Sequence, residues 1–166
     1  MKQAKTLLPP DAVQEIKALL AEAWLPHIYR ERVLQTRTRS YHFGPLPRNA
    51  RVEIQHTLLG VELKIGRRRF LCPDLAMARY LSVFARAGCN DVAIPYDITQ
   101  VSRIADELES AWQHMLLLVE HNLATSAARA RIRGLLIAKL RAEIAAAGAG
   151  TAIPEFKQST KQRGIG

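Results

Sequence analysis

Apolar residues recur along the first part of the chain at helical spacing: Val13, Ile16, Leu19, Leu20, Ala23 and Trp24 share one arc of a roughly 3.6-residue period. Pro9-Pro10-Asp11 supplies a stop followed by an N-cap, so the pattern predicts an amphipathic helix over about 11–25, ended by Pro26. Residues 33–43, VLQTRTRSYHF, alternate instead. They predict a strand with Gln35, Arg37 and Arg39 on a solvated face, followed by a GPLPRN loop.

Val52, Ile54, His56 and Leu58 alternate, Leu59-Gly60 breaks the phase, and Val61, Leu63 and Ile65 resume it. This predicts a meander, built either from two strands with a tight turn at Leu59-Gly60 or from one bulged strand, with a hairpin turn at Gly66-Arg67. Pro73-Asp74 then opens a helix that Gly88 closes, and its charged arc is narrow. Arg79, Ser82 and Arg86 fall within about 60° of one another, so this helix is expected between the sheet and another helix. Val92-Ala93-Ile94 reads as a short buried strand, and strand, helix, strand from Phe70 to Ile94 suggests a parallel crossover.

Asp97 with Gln100 makes a capping-box-like start, and Val101, Ile104, Ala105, Leu108, Trp112, Met115, Leu116 and Val119 form the cleanest stripe in the chain, predicting a helix over about 98–121. Asn122 to Thr125 is a turn, and Ser126 to about Ala147 an Ala-rich helix. Its apolar set, Ile132, Leu135, Leu136, Leu140 and Ile144, is expected to pack against Leu117 and Leu118 as a helical hairpin. The elements together predict an α+β fold: a small mixed or antiparallel sheet of four or five strands, an N-terminal helix, one buried crossover helix and the C-terminal helical hairpin. Residues 1–150 are expected to form a single domain and residues 151–166 a flexible basic tail.

Composition adds a core and a charge. Of the 166 residues 48% are hydrophobic and 23% charged, which suits folding by burial. Cys72 and Cys89 sit at opposite ends of a predicted helix, whose rise of about 1.5 Å per residue holds them too far apart for a bridge. Free thiols, together with the lack of an apolar run long enough for a bilayer or of a continuous signal core, lead us to expect a cytoplasmic protein with no membrane association.

The net charge of +9 is unevenly spread. Residues 26–70 hold ten basic and three acidic groups, residues 71–125 three and seven, and residues 126–166 eight and two. Such a field attracts polyanions to one side. Arg37, Arg39, Arg48, Arg51, Arg67, Arg68 and Arg69, interleaved with Tyr41, His42 and Phe43, are the candidate contact residues. Guanidinium groups on a sheet with aromatic rings nearby suit a phosphate backbone and splayed bases, one by fork geometry and the other by stacking. The basic residues of the last helix make no such stripe, because Arg129 and Arg133 are about 40° apart while Arg131, Lys139 and Arg141 lie elsewhere around it.

Glu62-Leu63-Lys64 lies on a predicted strand and resembles the E-x-K half-motif of the PD-(D/E)xK nuclease superfamily, as the element order over roughly residues 11–95 resembles that family's core. The resemblance implies a Mg²⁺-dependent nuclease in which Glu62 shares the metal with an upstream acid and Lys64 steadies the attacking water. The upstream acid of this chain is Glu53, and residues 32–61 contain no Asp. His114 and His121 are seven residues apart, about 10 Å along a helix, and cannot share a metal. No phosphate loop, nucleophile elbow, zinc helix motif or paired-cysteine motif occurs.

The leading expectation is therefore a non-enzymatic basic module that binds RNA or other single-stranded nucleic acid, with neither metal nor cofactor. The alternative is a protein-interaction or assembly factor that associates with a partner or with itself through residues 98–147, where Leu117, Leu118 and Ile137 lie off the main apolar stripes. The nuclease is the remote third reading.

Overall fold

The computed structural model describes residues 9–47 and 50–150, so Arg48 and the tail expected over 151–166 lie outside the described residues. Helix α1 spans Pro9–Leu20 and buries Ala12, Val13, Ile16 and Leu20, while Leu19 of the predicted arc is exposed. It ends earlier than its periodicity suggests, in a single 3₁₀ turn at Ala21–Ala23. Pro26 does not terminate the helix. It sits in the first turn of α2 (Leu25–Ile28), where a missing N–H and a fixed φ cost nothing.

A five-residue π-helical turn, Tyr29–Val33, continues from α2, and strand β1 begins only at Thr38. The strand expected from residue 33 is thus corrected at its start. Val33 and Leu34 are apolar because they pack a helical turn into the core, not because they alternate on a sheet.

Strands β2 (Val52–Thr57), β3 (Gly60–Ile65) and β4 (Arg68–Cys72) form the expected antiparallel meander. Thr57 faces Gly60 across a two-residue turn, so the phase break at Leu59-Gly60 is a hairpin between two strands and not a bulge. Leu63 and Ile65 are buried on the inner face with Val61, Phe70 and Cys72 around them.

Helix α3 (Leu75–Arg86) is pressed between the inner face of the meander and α4 (Val101–Asn122), as its narrow polar arc predicts. Its ends are both closed by local chemistry. The Asp74 carboxylate accepts from Met77 N–H at 2.9 Å, and Gly88, at φ 78°, lets Gly88 N–H reach Ala85 O and Cys89 N–H reach Phe84 O.

After α3 the chain departs from the expected crossover. Strand β5 (Asp91–Pro95) does not join the meander in parallel; it pairs antiparallel with β1, from Thr38 opposite Pro95 to His42 opposite Asp91. The five strands thus form two antiparallel sheets within the α+β fold, one of two strands and one of three. The physical reason lies at the outer edge of β5, where a strand would otherwise add: Tyr29 OH accepts from Ala93 N–H at 2.8 Å and Tyr80 OH donates to Ala93 O at 2.6 Å.

Helix α5 (Ser126–Ala147) is capped by Thr125, whose hydroxyl accepts from Ala128 N–H at 3.0 Å. It returns along α4 as the second arm of the helical hairpin and also reaches α1, α2 and β5. Ile132, Leu136, Leu140 and Ile144 are buried and Leu118 is half-buried against the core, but Leu117 and Leu135 are exposed, so the expected hairpin packing is corrected at those two leucines. The buried stripe is one residue in four, and Leu135 falls off it. Cys72 and Cys89 are buried free thiols, and no described helix is long and apolar enough to cross a membrane.

Candidate nucleic-acid interface

Five of the predicted arginines divide between two surfaces. Arg51 and Arg69 belong to the outer face of the meander, where register places Glu53 opposite Lys64, Lys64 opposite Arg69, and Gln55 opposite Glu62. Arg51 Nε lies 2.7 Å from Glu53, and Arg69 Nη1 lies 3.5 Å from Glu62. That face is a ladder of mixed sign, and its positive charges are answered locally. Arg67 is exposed in the turn between β3 and β4, with no carboxylate partner among the described residues.

The second surface runs along β1 to the end of β4. Arg37, Arg39 and Tyr41 alternate onto one side of β1, spanning about 13 Å at strand rise, with exposure falling from the two arginines to half-buried Tyr41 and buried Phe43. Tyr41 and Phe43 meet Phe70 of β4 with ring centroids 6.5 and 5.6 Å apart, which joins the two sheets at this corner. The Arg68 guanidinium lies 4.9 Å from the Phe70 ring centroid and donates from Nη1 to Pro45 O at 3.0 Å. Arg37 lies 4.9 Å from the ring centroid of Tyr96, which is half exposed.

Among the described residues no carboxylate pairs with Arg37, Arg39 or Arg68. Asp97, beside Tyr96, is turned into its own cap and accepts from the Thr99 N–H at 3.0 Å and its hydroxyl at 2.7 Å. These hydrogen bonds hold the Asp97 carboxyl below the usual range. His42 lies on the other side of β1 from Tyr41 and is paired with Asp91, away from this rim. Burial, with Cys72 nearby, raises the Tyr41 phenol above its ordinary value despite Arg68, so the group stays a neutral hydrogen-bond donor.

Tyr96 is the residue that alternation along the sequence does not single out. It follows a buried strand and comes opposite Arg37 only because β5 pairs with β1, through Tyr96 N–H donating to Arg37 O at 2.8 Å. The rim thus offers two guanidinium–ring pairs, a further guanidinium between them, and a phenol. Such a surface can hold phosphates by charge and take a base on an exposed ring.

Glu62 and Lys64 share the outer face of β3, as their spacing predicts, with Glu62 largely covered by its neighbours and its Oε1 without a hydrogen bond. Among the described residues no group of three His, Cys, Asp or Glu side chains is placed to hold a metal ion. No family model matches the chain, and searches of the curated proteins and of the solved structures return no match.

Proposed function

We propose that the chain is a non-enzymatic binding module for single-stranded nucleic acid, RNA foremost, working through the rim formed by Arg37, Arg39, Tyr41, Arg68 and Tyr96. The observation that carries this reading is the exposed Arg37–Tyr96 stack: a cation and a ring that share one site, with no described carboxylate to occupy the cation. A single strand tracks such a rim by phosphate contacts and lays a base on the tyrosine, whereas a duplex keeps its bases stacked away. The outer face of the meander contributes less, because Glu53 and Glu62 repel the same phosphates that Arg51 and Arg69 attract. Two free cysteines fit a reducing compartment, so the cytoplasm is the proposed location.

Fluorescence anisotropy with single-stranded RNA, single-stranded DNA and duplex DNA, over roughly 50 to 300 mM salt, tests the reading. Salt-steep binding that favours the single strands is expected. Arg37→Ala with Arg39→Ala should weaken it and flatten the slope by about 0.7 for each phosphate that is no longer neutralised, while Arg51→Ala leaves the slope nearly unchanged. Equal, weak binding of all three nucleic acids, or a slope indifferent to Arg37 and Arg39, overturns it.

A second reading draws on the C-terminal hairpin, where Leu117 and Leu135 are 52% and 40% exposed. Exposed leucines on α4 and α5 suit an assembly factor that docks through residues 98–147. A concentration-independent monomer in sedimentation, unchanged by Leu117→Ser, counts against self-association there.

A further inference from the structure

A cleft of about 400 Å³ opens between the loop after β1, the C-terminal end of α3 and the middle of α5. Leu46, Pro47 and Ile137 give it apolar walls, and Arg86, Arg141 and Asn90 supply its polar groups. No described carboxylate lines it. Asp91 belongs to the neighbouring cleft and is paired with His42.

The end of a helix usually presents carbonyl oxygens, which repel anions. Here three of them are consumed. Phe84 O and Ala85 O accept from Cys89 and Gly88, and Ala87 O accepts from Arg141 Nη1 at 3.0 Å. That last bond fixes the Arg141 guanidinium at the cleft wall while leaving its other N–H groups available. Gly88 makes room for it, since a Cβ there would lie 3.1 Å from Arg141 Nη1.

Gly134 lines the open side of the cleft. It sits in the interior of α5, facing the cleft, where glycine costs a helix roughly 1 kcal/mol relative to alanine. No atom lies within 4 Å of where its Cβ would be. Packing does not require a glycine at this position, and a large side chain here would project into the cleft.

We propose that this cleft binds a phosphate monoester carried on a small planar or apolar group, of nucleoside-monophosphate size. Arg86 and Arg141 meet the phosphate as forked donors, and the Leu46–Pro47 and Ile137 walls enclose the body of the ligand. The cleft shares no lining residue with the β1 rim.

Calorimetric titration of the full chain with AMP, adenosine and benzoate tests the site. Saturable AMP binding is expected, with adenosine and benzoate much weaker. Arg86→Gln, at a side chain that holds no described hydrogen bond in the protein, should weaken AMP binding about tenfold or more. Gly134→Leu should abolish binding while raising the melting temperature of the free protein, because it fills the cleft and improves the helix. Arg37→Ala with Arg39→Ala, by contrast, should leave AMP binding unchanged, which separates this site from the rim. Absence of saturable AMP binding, equal binding of benzoate, or AMP binding unaffected by both Arg86→Gln and Gly134→Leu overturns the proposal.

Discussion

The hydroxyl of Tyr29 accepts from the Ala93 N–H at 2.8 Å and donates to Gly148 O at 2.6 Å, and that of Tyr80 donates to Ala93 O at 2.6 Å. Two phenols thereby satisfy the outer edge of β5, where a third strand would otherwise be needed. Burial raises the Tyr29 phenol to about 12, so the hydroxyl stays protonated and able to donate at physiological pH. Tyr29→Phe leaves the buried Ala93 N–H without a partner and should cost about 1–3 kcal/mol in urea denaturation. Tyr80→Phe removes a donor from a carbonyl and should cost less. A Tyr29→Phe variant as stable as the parent would mean that the edge is closed by something else. Neither tyrosine is distinguishable in the sequence from an ordinary core aromatic, because the partner of each lies many residues away.

Helix α3 is the element whose sequence and structure agree most closely, because each of its ends is specified by neighbouring residues. The Asp74 cap and the Gly88 turn need no distant partner, and both were legible. Asp74→Ala should lower stability by about 1 kcal/mol. Gly88→Ala should lower it by about 1–2 kcal/mol or more, because a left-handed φ is unfavourable for alanine and its Cβ crowds Arg141. Thermal or urea unfolding checks both, and a neutral Gly88→Ala would show that the turn relaxes. The segment after α1 is the contrary case. Pro26 ends a helix in one context and opens one in another, and the apolar pair Val33-Leu34 suits a strand or a tight helical turn equally well. Local pattern carries both options, and the choice falls to whatever the turn packs against.

At the scale of the whole molecule, α1, α5 and the turn between α1 and α2 meet at Glu143. Its carboxylate accepts from Trp24 Nε1 at 2.7 Å and from Lys17 Nζ at 2.9 Å, with Arg30 and Lys139 at 3.8 and 3.6 Å. Burial pushes this carboxyl up, but the hydrogen bonds from Trp24 and Lys17 and the charges of Lys17 and Lys139 outweigh it and hold it below the ordinary 4.5. A carboxyl lowered in the folded state stabilises fully above its unfolded value and less as pH falls through the folded one. Urea denaturation should therefore show Glu143→Gln less stable than the parent at neutral pH, with the gap closing below pH 4.5. A gap that persists unchanged to pH 3 would place the interaction in packing and not in charge; that limit lies below the ordinary carboxylate range of about 4.

By itself the sequence determined the α+β class, the meander, the caps of α3 and the long apolar stripe of α4, because these follow from periodicities and caps that act over a few residues. It also marked Arg37, Arg39, Tyr41 and Arg68 as candidates, since basic and aromatic residues alternate on strands. Only the tertiary structure decided which of those cations remain available. Arg51 and Arg69 meet Glu53 and Glu62, Arg37 meets Tyr96, and β5 pairs with β1 instead of the meander. It alone placed Arg86 and Arg141, on two distant helices, in one cleft. The reason is physical: a cap or a stripe is fixed by neighbours in the chain, whereas an ion pair, a stack or a cleft depends on which elements exclude water together, and no local pattern encodes that choice.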